Sequence, residues 1–559
     1  MPVAADLQSD KTKAKPVGDK RQPRRGQTTT TRCGGLESDA ILQRQPHPLK
    51  SGTSKQDKAT RHDGANRKKK RHAATAATTY TDKTQTNNIS RMKTSILKQT
   101  ALMAACALMA ACGDDDATQK AEAAYGAETQ TFAVRVESVG EAQRVRAAGE
   151  SFINSITPVQ TIDRVVVVIA DRKDGRIVYS QTITGWSDTN NKASQPYYDG
   201  DKRGREARLT LTGDSRLRQG EEYIAYAVGY HDGTYGGYTP FANLKPGDRL
   251  DHPELATKPD GELAAEIFAG AQSFVNEDGR IVAHSMSPDE TGAVLTMRRQ
   301  VGGTFGYFTR IPSSVDGVAV ASVRMASPKA YQTIIMAGFR SQEDPTRFDA
   351  ERVVNAMTER TVYDAAMHGD DTGHAFMIYR IDLKNWFPGN EDDPDLPLDQ
   401  NGDGYLDGAD SNWQLSEYLR DSGLNIERGA VYGSRYLIPT EMTADDVAAG
   451  LTTFELQLLD KEGRILKHWP VELRDAAQLT MPRTVVTLAE DGKTVNMTTV
   501  DSPETARTYS LLRNNLYTLG EKNSNQTYGE DTPIRLADEQ TLVMDVNPEW
   551  DAFRAIIFN

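Results

Sequence analysis

Residues 164–183 have the sequence RVVVVIADRKDGRIVYSQTI, in which two apolar runs flank a short polar segment. β-Branched residues dominate the first run and recur in the second, and such residues favour an extended backbone. The polar segment ends in Gly175, which can adopt the positive φ that a tight hairpin turn needs. The stretch therefore predicts a β-hairpin with one strand on each side of the turn.

Strand patterns continue on both sides of this hairpin. Apolar and polar residues alternate over 131–139, and further strands are expected at 207–211 and 223–228. The turn sequence Asp-Gly-Arg-Ile recurs at residue 278 and, with two residues inserted, at residue 460. Such echoes fit either a duplicated domain or similar turns that arose separately.

Helical patterns are few, and we expect short helices only near 261–268, 350–357 and 413–419. Many short strands with regular turns predict a mainly β protein built of antiparallel β-sandwiches. About 430 ordered residues exceed one sandwich, so two in tandem are expected. We place the N-terminal sandwich at 129–335 and the C-terminal one at 336–559.

The chain of 559 residues has a net charge of −12, which averages two unlike parts. Residues 1–91 are polar and basic, and lack the apolar pattern of a folded core. Their cluster Arg67-Lys-Lys-Lys-Arg71 is typical of nucleic-acid binding, but we expect none because an export signal follows it. We interpret 1–91 as an upstream extension from a wrong start codon; a genuine basic domain is the alternative.

The export signal occupies residues 92–111, with a basic start at Met92 and an apolar run that ends before Cys112. That run is too short to cross a bilayer. An export signal that ends in a lone cysteine resembles the lipobox of bacterial lipoproteins, which implies a diacylglycerol lipid on Cys112. The alternative is a signal peptide with an incidental cysteine. Residues 112–128 then form an acidic, flexible tether. Its acidic run resembles the export signal of Bacteroidetes surface lipoproteins, which implies the outer face of the outer membrane.

Residues 399–410 match the spacing of an EF-hand calcium loop, with oxygen ligands at alternating positions and a glycine at position six. The predicted ligands are Asp399, Asn401, Asp403, Tyr405, Asp407 and Asp410. A structural Ca²⁺ ion suits these donors, although the last position is Asp rather than Glu. Prolines before the loop exclude an incoming helix. A solvated acidic loop without metal is the alternative.

Catalytic motifs are absent from the sequence, which has neither a zinc-protease nor a serine-hydrolase signature and no cysteine in the mature chain after Cys112. We therefore expect no enzyme activity. The loop 230–241 is rich in Tyr and Gly, and its Tyr235 and Tyr238 could form a sugar-stacking platform. The alternative is a loop at the edge of the core.

Two patches carry a family resemblance. The segment 509–519 and the closing strand region 542–550 resemble the C-terminal signature of fimbrillins, the type V pilus subunits of Bacteroidales and their lipidated anchors. The segment 294–308 is similar to the arginine-containing strand of their first domain, although Val301 replaces the usual small residue. The resemblance implies two tandem transthyretin-like β-sandwiches and polymerisation by β-strand donation between subunits.

In shaft subunits of that family a protease cuts after an arginine and releases the first strand, which implies Arg135, Arg144 or Arg146 as processing sites. The terminus 552–559 fits a closing or a donated strand. The predicted function is thus a surface lipoprotein acting as a fimbrial anchor, accessory or shaft subunit. Its partners would be other fimbrial subunits, the outer membrane and a host or bacterial surface ligand. The alternative is a glycan-binding lipoprotein of a polysaccharide uptake system.

Overall fold

A computed structural model describes residues 124–138, 161–188, 193–199, 202–241, 243–250, 254–261, 263–283, 293–336, 352–361, 376–420, 426–474, 478–501, 503–521, 532–538 and 540–547. Several predictions fall outside these ranges: the extension 1–91, the signal 92–111, Cys112, the tether up to residue 123, the processing residues Arg144 and Arg146, and the terminus 552–559. The last residues predicted as flexible tether, 124–128, are described and make hydrogen bonds to the first sandwich. All the described residues belong to one compact unit.

The described residues are mainly β. The strands of the N-terminal half are β1 Thr129–Ser138, β2 Arg164–Asp171, β3 Ile177–Thr184, β4 Gln195–Asp199, β5 Lys202–Thr212, β6 Glu222–Tyr230, β7 Ala256–Thr257, β8 Ile267–Glu277, β9 Arg280–Ala283 and β10 Val294–Arg299. Those that follow are β11 Gly302–Thr309, β12 Ile311–Pro312, β13 Ser314–Val315, β14 Val318–Ala319, β15 Ser322–Ser327, β16 Lys329–Ile335, β17 Val353–Val354, β18 Ala356–Thr361 and β19 Phe376–Asp382. The last are β20 Tyr405–Leu406, β21 Ala430–Leu437, β22 Glu455–Leu459, β23 Ile465–Leu473, β24 Arg483–Leu488, β25 Val495–Val500, β26 Leu516–Leu519, β27 Ile534–Arg535 and β28 Leu542–Asn547. The α-helices are α1 Asp232–Tyr235, α2 Glu417–Arg420 and α3 Ala444–Ala449.

The first large sheet has the order β3-β2-β6-β8-β10-β1-β5-β4, with β9 attached to β8. The predicted hairpin is its β2–β3 edge, and Gly175 in the turn has a φ of 70°. One apolar core joins residues from both ends of this order, including Val134 of β1, Leu209 of β5 and Val167 of β2. A sheet whose two ends share a core must fold back on itself, which is the sandwich arrangement that the sequence predicts.

The second large sheet has the order β19-β15-β22-β23-β28-β26-β11-β21, with β27 attached to β11. Its two edge strands also approach each other. The Arg435 guanidinium on β21 donates to the main-chain carbonyls of Met377 and Ile378 on β19, at 2.8 and 2.9 Å. Gly433 permits the approach, because a Cβ there would lie 2.9 Å from the Tyr379 ring. The mainly β architecture with few short helices is therefore confirmed.

The chain passes from one sheet to the next between Arg299, which ends β10, and Gly302, which begins β11. This changeover precedes the boundary that we placed near residue 335. The polar stretch that suggested the later boundary lies outside the described residues. The changeover takes only two residues, Gln300 and Val301, and both are fully buried.

Of the three predicted helices, the first two are wrong and the third is confirmed only in its last part. Residues 263–266 form irregular chain that leads into β8, and residues 353–357 belong to β17 and β18. Of the stretch 413–419 only the final part is helical, in α2. Local helix propensity is weak, and tertiary packing buries Ala264, Val353 and Val354 outside any helix.

Candidate assembly site around the first strand

The first strand among the described residues, β1, lies inside its sheet, not at an edge. β1 pairs antiparallel with β5 along its whole length, from Thr129 opposite Thr212 to Ser138 opposite Arg203. On its other side it pairs parallel with β10, from Ala133 opposite Val294 to Val136 opposite Met297. Removal of β1 would therefore leave a gap between β5 and β10, with unpaired main-chain groups on both sides.

The inner face of β1 fills the core of the first sandwich. Phe132, Val134 and Val136 are fully buried, and the Phe132 ring lies 5.2 Å from the ring of Phe274 on β8. These side chains occupy alternate positions, as they must on one face of a strand. Their pockets would give an incoming strand a defined register.

The outer face of β1 carries an ion-pair cluster. Arg135 donates to the Glu206 carboxylate on β5 at 2.5 Å, and Arg208 donates to the same group at 2.7 Å. The Arg135 guanidinium also lies 4.6 Å from the ring centre of Tyr197 on β4. Burial opposes ionisation of Glu206, but hydrogen bonds from both arginines outweigh it, so the pKa of this carboxyl lies below its ordinary value.

Of the predicted processing residues, the structure describes only Arg135. It lies in the middle of β1, paired on both sides, and its side chain is 23% exposed. A protease needs an extended, accessible backbone, so it could cut here only after β1 had left the sheet. Cleavage after Arg144 or Arg146, which follow β1 in the chain, would leave the strand whole.

Residues from the two resemblance patches meet at the changeover between the sheets. Arg299 forms an ion pair with Glu266 at 2.8 Å and donates to the Asn514 side chain at 3.2 Å. Asn514, with a φ of 55°, donates its main-chain N–H to the carbonyl of Val301 at 2.8 Å. Arg513 donates to the Gln300 side chain at 3.3 Å. The sequence placed these patches more than two hundred residues apart and gave no sign of this contact.

The predicted calcium loop forms a compact turn joined to β12 through β20. Gly404, the glycine at position six, has a φ of 91°. Each of five predicted ligands accepts a loop N–H: Asp399 from Gly404, Asn401 from Asp403, Asp403 from Tyr405, Asp407 from Ala409 and Asp410 from Gln400, all at 2.8 or 2.9 Å.

Asp410 is fully buried, and its second carboxylate oxygen accepts the N–H of Asp407 at 3.0 Å. The donors are oxygens only, which suits a hard cation such as Ca²⁺. Among the residues that the structure describes, however, no three Asp, Glu, His or Cys side chains are gathered closely enough to hold a metal. The loop therefore has the oxygen ligands that Ca²⁺ prefers. In this structure, these oxygens accept hydrogen bonds from main-chain N–H groups of the loop itself.

The aromatic loop that could have stacked on sugars is buried. Tyr235 and Tyr238 are 0% and 2% exposed, and their hydroxyls donate to the carbonyls of Ala265 and Glu254, at 2.9 and 3.1 Å. Phe241 packs with them in the larger core. These rings are part of the larger apolar core, so they are not accessible for stacking on a polysaccharide.

Within the described ranges, no helix is long and apolar enough to cross a membrane.

Sequence analysis did not single out Glu206 or Glu266, the carboxylates that form ion pairs at β1 and at the changeover between the sheets. Each stands as one acidic residue among many, and only its arginine partners distinguish it.

No protein-family profile and no curated protein matches the chain. Solved structures do. A cell adhesion protein from Parabacteroides distasonis is 11% identical, with a TM-score of 0.29 and coverage of 76% of this chain and 99% of that one. The tip fimbrial protein Mfa3 from Porphyromonas gingivalis, truncated at its C-terminus, is 7% identical, with a TM-score of 0.28 and coverage of 72% and 97%. The fimbrial anchor protein Mfa2 from the same organism is 10% identical, with a TM-score of 0.24 and coverage of 68% and 100%.

Proposed function

We propose that this chain is a surface-exposed, lipid-anchored fimbrial subunit that joins other subunits by β-strand donation and serves adhesion. It acts as a structural protein and not as an enzyme. The observation that carries the proposal is the interior position of β1, the first strand in the described part of the chain. An interior first strand is the element whose loss would open a groove for a strand of another subunit.

We favour an anchor or accessory position over a shaft position, in which the lipid predicted on Cys112 stays on the protein. If the lipid stays, the chain remains at the outer membrane and holds a fimbrium there. If the chain is cut after Arg144 or Arg146, Cys112 serves only for transport. In either case β1 pairs with β5 along its full length, so a donated strand would form a similarly long ladder.

The test has two measurements on native outer membranes. The first is the intact mass of the protein, which shows whether it begins at a lipidated Cys112 or after an arginine. The second is a pull-down through a tag on a described surface turn, such as Asp491–Gly492 between β24 and β25. We expect pilus subunits to be recovered with the tagged chain. Recovery of the chain alone from piliated cells would contradict the proposal.

We also propose that residues 399–410 bind a structural Ca²⁺ ion. The support is the oxygen-only donor set, the buried Asp410 carboxylate and the positive φ of Gly404. Asp399, Asn401, Asp403, Asp407 and Asp410 would supply side-chain oxygens, and Tyr405 its carbonyl. A bound cation would offset the repulsion among the four carboxylates of the loop.

A further inference from the structure

The segment before β1 is held in place by two buried carboxamides. Gln130 at the start of β1 and Asn276 on β8 are 1% and 0% exposed. Both side chains donate to the carbonyl of Tyr125 at 2.9 Å, and both donate to the carbonyl of Leu217, at 2.9 and 2.6 Å. Gln130 in turn accepts the N–H of Leu217 at 2.7 Å. Four hydrogen bonds thus converge on two carbonyls, one of which belongs to the segment that leads into β1.

The backbone of this segment also crosses another turn without room for a side chain. Gly126 has a φ of 74° and lies against Gly279, which has a φ of 80° in the β8–β9 turn. A Cβ added to Gly126 would overlap the main-chain nitrogen of Gly279. A Cβ on Gly279 would lie 2.6 Å from the carbonyl carbon of Gly126. Two glycines are therefore required where the chains cross.

A third contact lies on the outer side of the segment. The Arg216 guanidinium lies 4.3 Å from the ring centre of Tyr125 and donates to the carbonyl of Ala127 at 3.1 Å. The N–H of Gln219 donates to the carbonyl of Ala124 at 2.9 Å. We call these contacts of residues 124–130 the lead-in latch. It holds residues 124–128, which precede the paired residues of β1, together with the start of the strand itself.

We propose that the lead-in latch keeps β1 in its sheet after the chain is cut between residues 139 and 160. Cleavage alone then neither opens the groove nor frees the body from the lipid. This proposal rests on the proposed function, because it concerns the same strand and its exchange. The groove opens only when the β-strand of a second subunit displaces β1, and the latch sets the rate of that displacement.

A cut after β1 removes one covalent bond and none of the contacts above. The ten-residue register with β5, the three buried apolar side chains and the buried carboxamides all remain. Buried hydrogen bonds must break together for the strand to leave, because an unpaired buried amide is costly. Dissociation is therefore slow unless another strand supplies replacement pairing.

The test uses the full chain with an affinity tag at its N-terminus and one inserted protease site between residues 146 and 160. The tagged chain is immobilised and cut, and release of the C-terminal body into solution is followed. We expect the cut wild-type body to stay bound for hours in buffer and to leave when a peptide with the β1 sequence is added in excess.

Two variants and one control examine the latch itself. Asn276→Ala removes two donors, and we expect about tenfold faster release, the effect of losing buried hydrogen bonds. Arg216→Ala removes the outer contact without touching the core, and we expect faster release from a chain whose fold is kept. Thr131→Ala, on the exposed face of β1, is the matched control and should leave the rate unchanged.

Immediate release of the wild-type body after cutting would overturn the proposal. So would equal release rates for Arg216→Ala and Thr131→Ala, which keeps the test decisive if Asn276→Ala fails to fold. The assay contains no fimbrial partner, so its result does not depend on the pull-down that tests the fimbrial role. A latch that fails here leaves that role standing, and a latch that holds does not establish it.

Discussion

Arg299 and Glu266 form an ion pair of 2.8 Å, with their side chains 2% and 4% exposed, where the chain leaves the first sheet for the second. The main-chain N–H and the hydroxyl of Thr161 donate to the other Glu266 oxygen, at 2.7 and 2.9 Å. The carboxylate therefore joins three separate parts of the chain. A buried pair of this kind fixes an arrangement more than it adds stability, but breaking it is costly.

Substitution Glu266→Gln should destabilise the protein by about 3 kcal/mol, because it leaves the Arg299 charge buried without its counter-ion. The measurement is the free energy of unfolding from urea denaturation. The matched control is Glu222→Gln, whose partner Arg172 lies on the surface at 3.0 Å. An exposed pair of this kind contributes about 0–1 kcal/mol. Equal losses for the two variants would contradict the role assigned to the buried pair.

Calcium should raise the melting temperature, and a chelator should lower it again. Binding to the folded state alone stabilises by about 2.7 kcal/mol when the free ion is at a hundred times its dissociation constant. Asp399→Asn should remove most of the calcium-dependent shift in a thermal melt. Asp501→Asn, at an exposed position outside the loop, should keep it. A wild-type melting temperature that is the same with calcium and with chelator would refute the calcium site.

Acid should weaken the hold on β1 through Glu206. The pKa of this carboxyl is lowered in the folded protein, so its ionised form stabilises the fold above the unfolded-state pKa, about 4.3. That contribution is lost as the pH falls through the lowered folded-state pKa. We expect the difference in unfolding free energy between wild type and Glu206→Gln to be largest near pH 7. It should shrink as the pH falls below about 4. A difference that stays constant from pH 7 to pH 3 would rule this out.

Because Tyr235 and Tyr238 are buried, substitutions at these positions should change the stability of the protein and not its binding to glycans. Tyr235→Phe and Tyr238→Phe each remove one hydroxyl that donates to a main-chain carbonyl. Each should lower the unfolding free energy by about 1 kcal/mol. In affinity gels that contain polysaccharide, we expect the wild type to migrate as fast as in gels without it, and neither substitution should change this. If the wild type were retained and a variant lost that retention with its stability intact, the glycan-binding alternative would be favoured.

The local features that sequence could predict are those set by neighbouring residues. The hairpin at 164–183 follows from two β-branched runs and one glycine. The prediction of a calcium loop likewise rests on donors spaced within twelve positions. The helix predicted at 350–357 is wrong because a contact with a distant part of the chain decides the structure there. Its residues Val353 and Val354 pair as a strand with β24, more than a hundred positions later in the chain.

The candidate site divides in the same way. Alternation in 131–139 correctly predicts a strand with a buried face, but it does not show that this strand lies between β5 and β10. The sequence of loop 230–241 shows that it is rich in tyrosine, but it does not show whether these side chains face solvent or the core. Their burial is set by residues such as Ala265, which reaches Tyr235 from another part of the chain.

The sequence by itself determined the mainly β class, the hairpin turns, the spacing of the oxygen donors at 399–410 and the resemblance to fimbrial subunits. Each of these depends on interactions between residues close in the chain, where spacing fixes geometry. Only the tertiary structure decided that β1 is an interior strand, that Gln130 and Asn276 hold the segment before it, and that Arg299 meets Glu266 and Asn514. Such contacts join residues far apart in sequence, and they form because burial forces polar groups to find partners that no local pattern specifies.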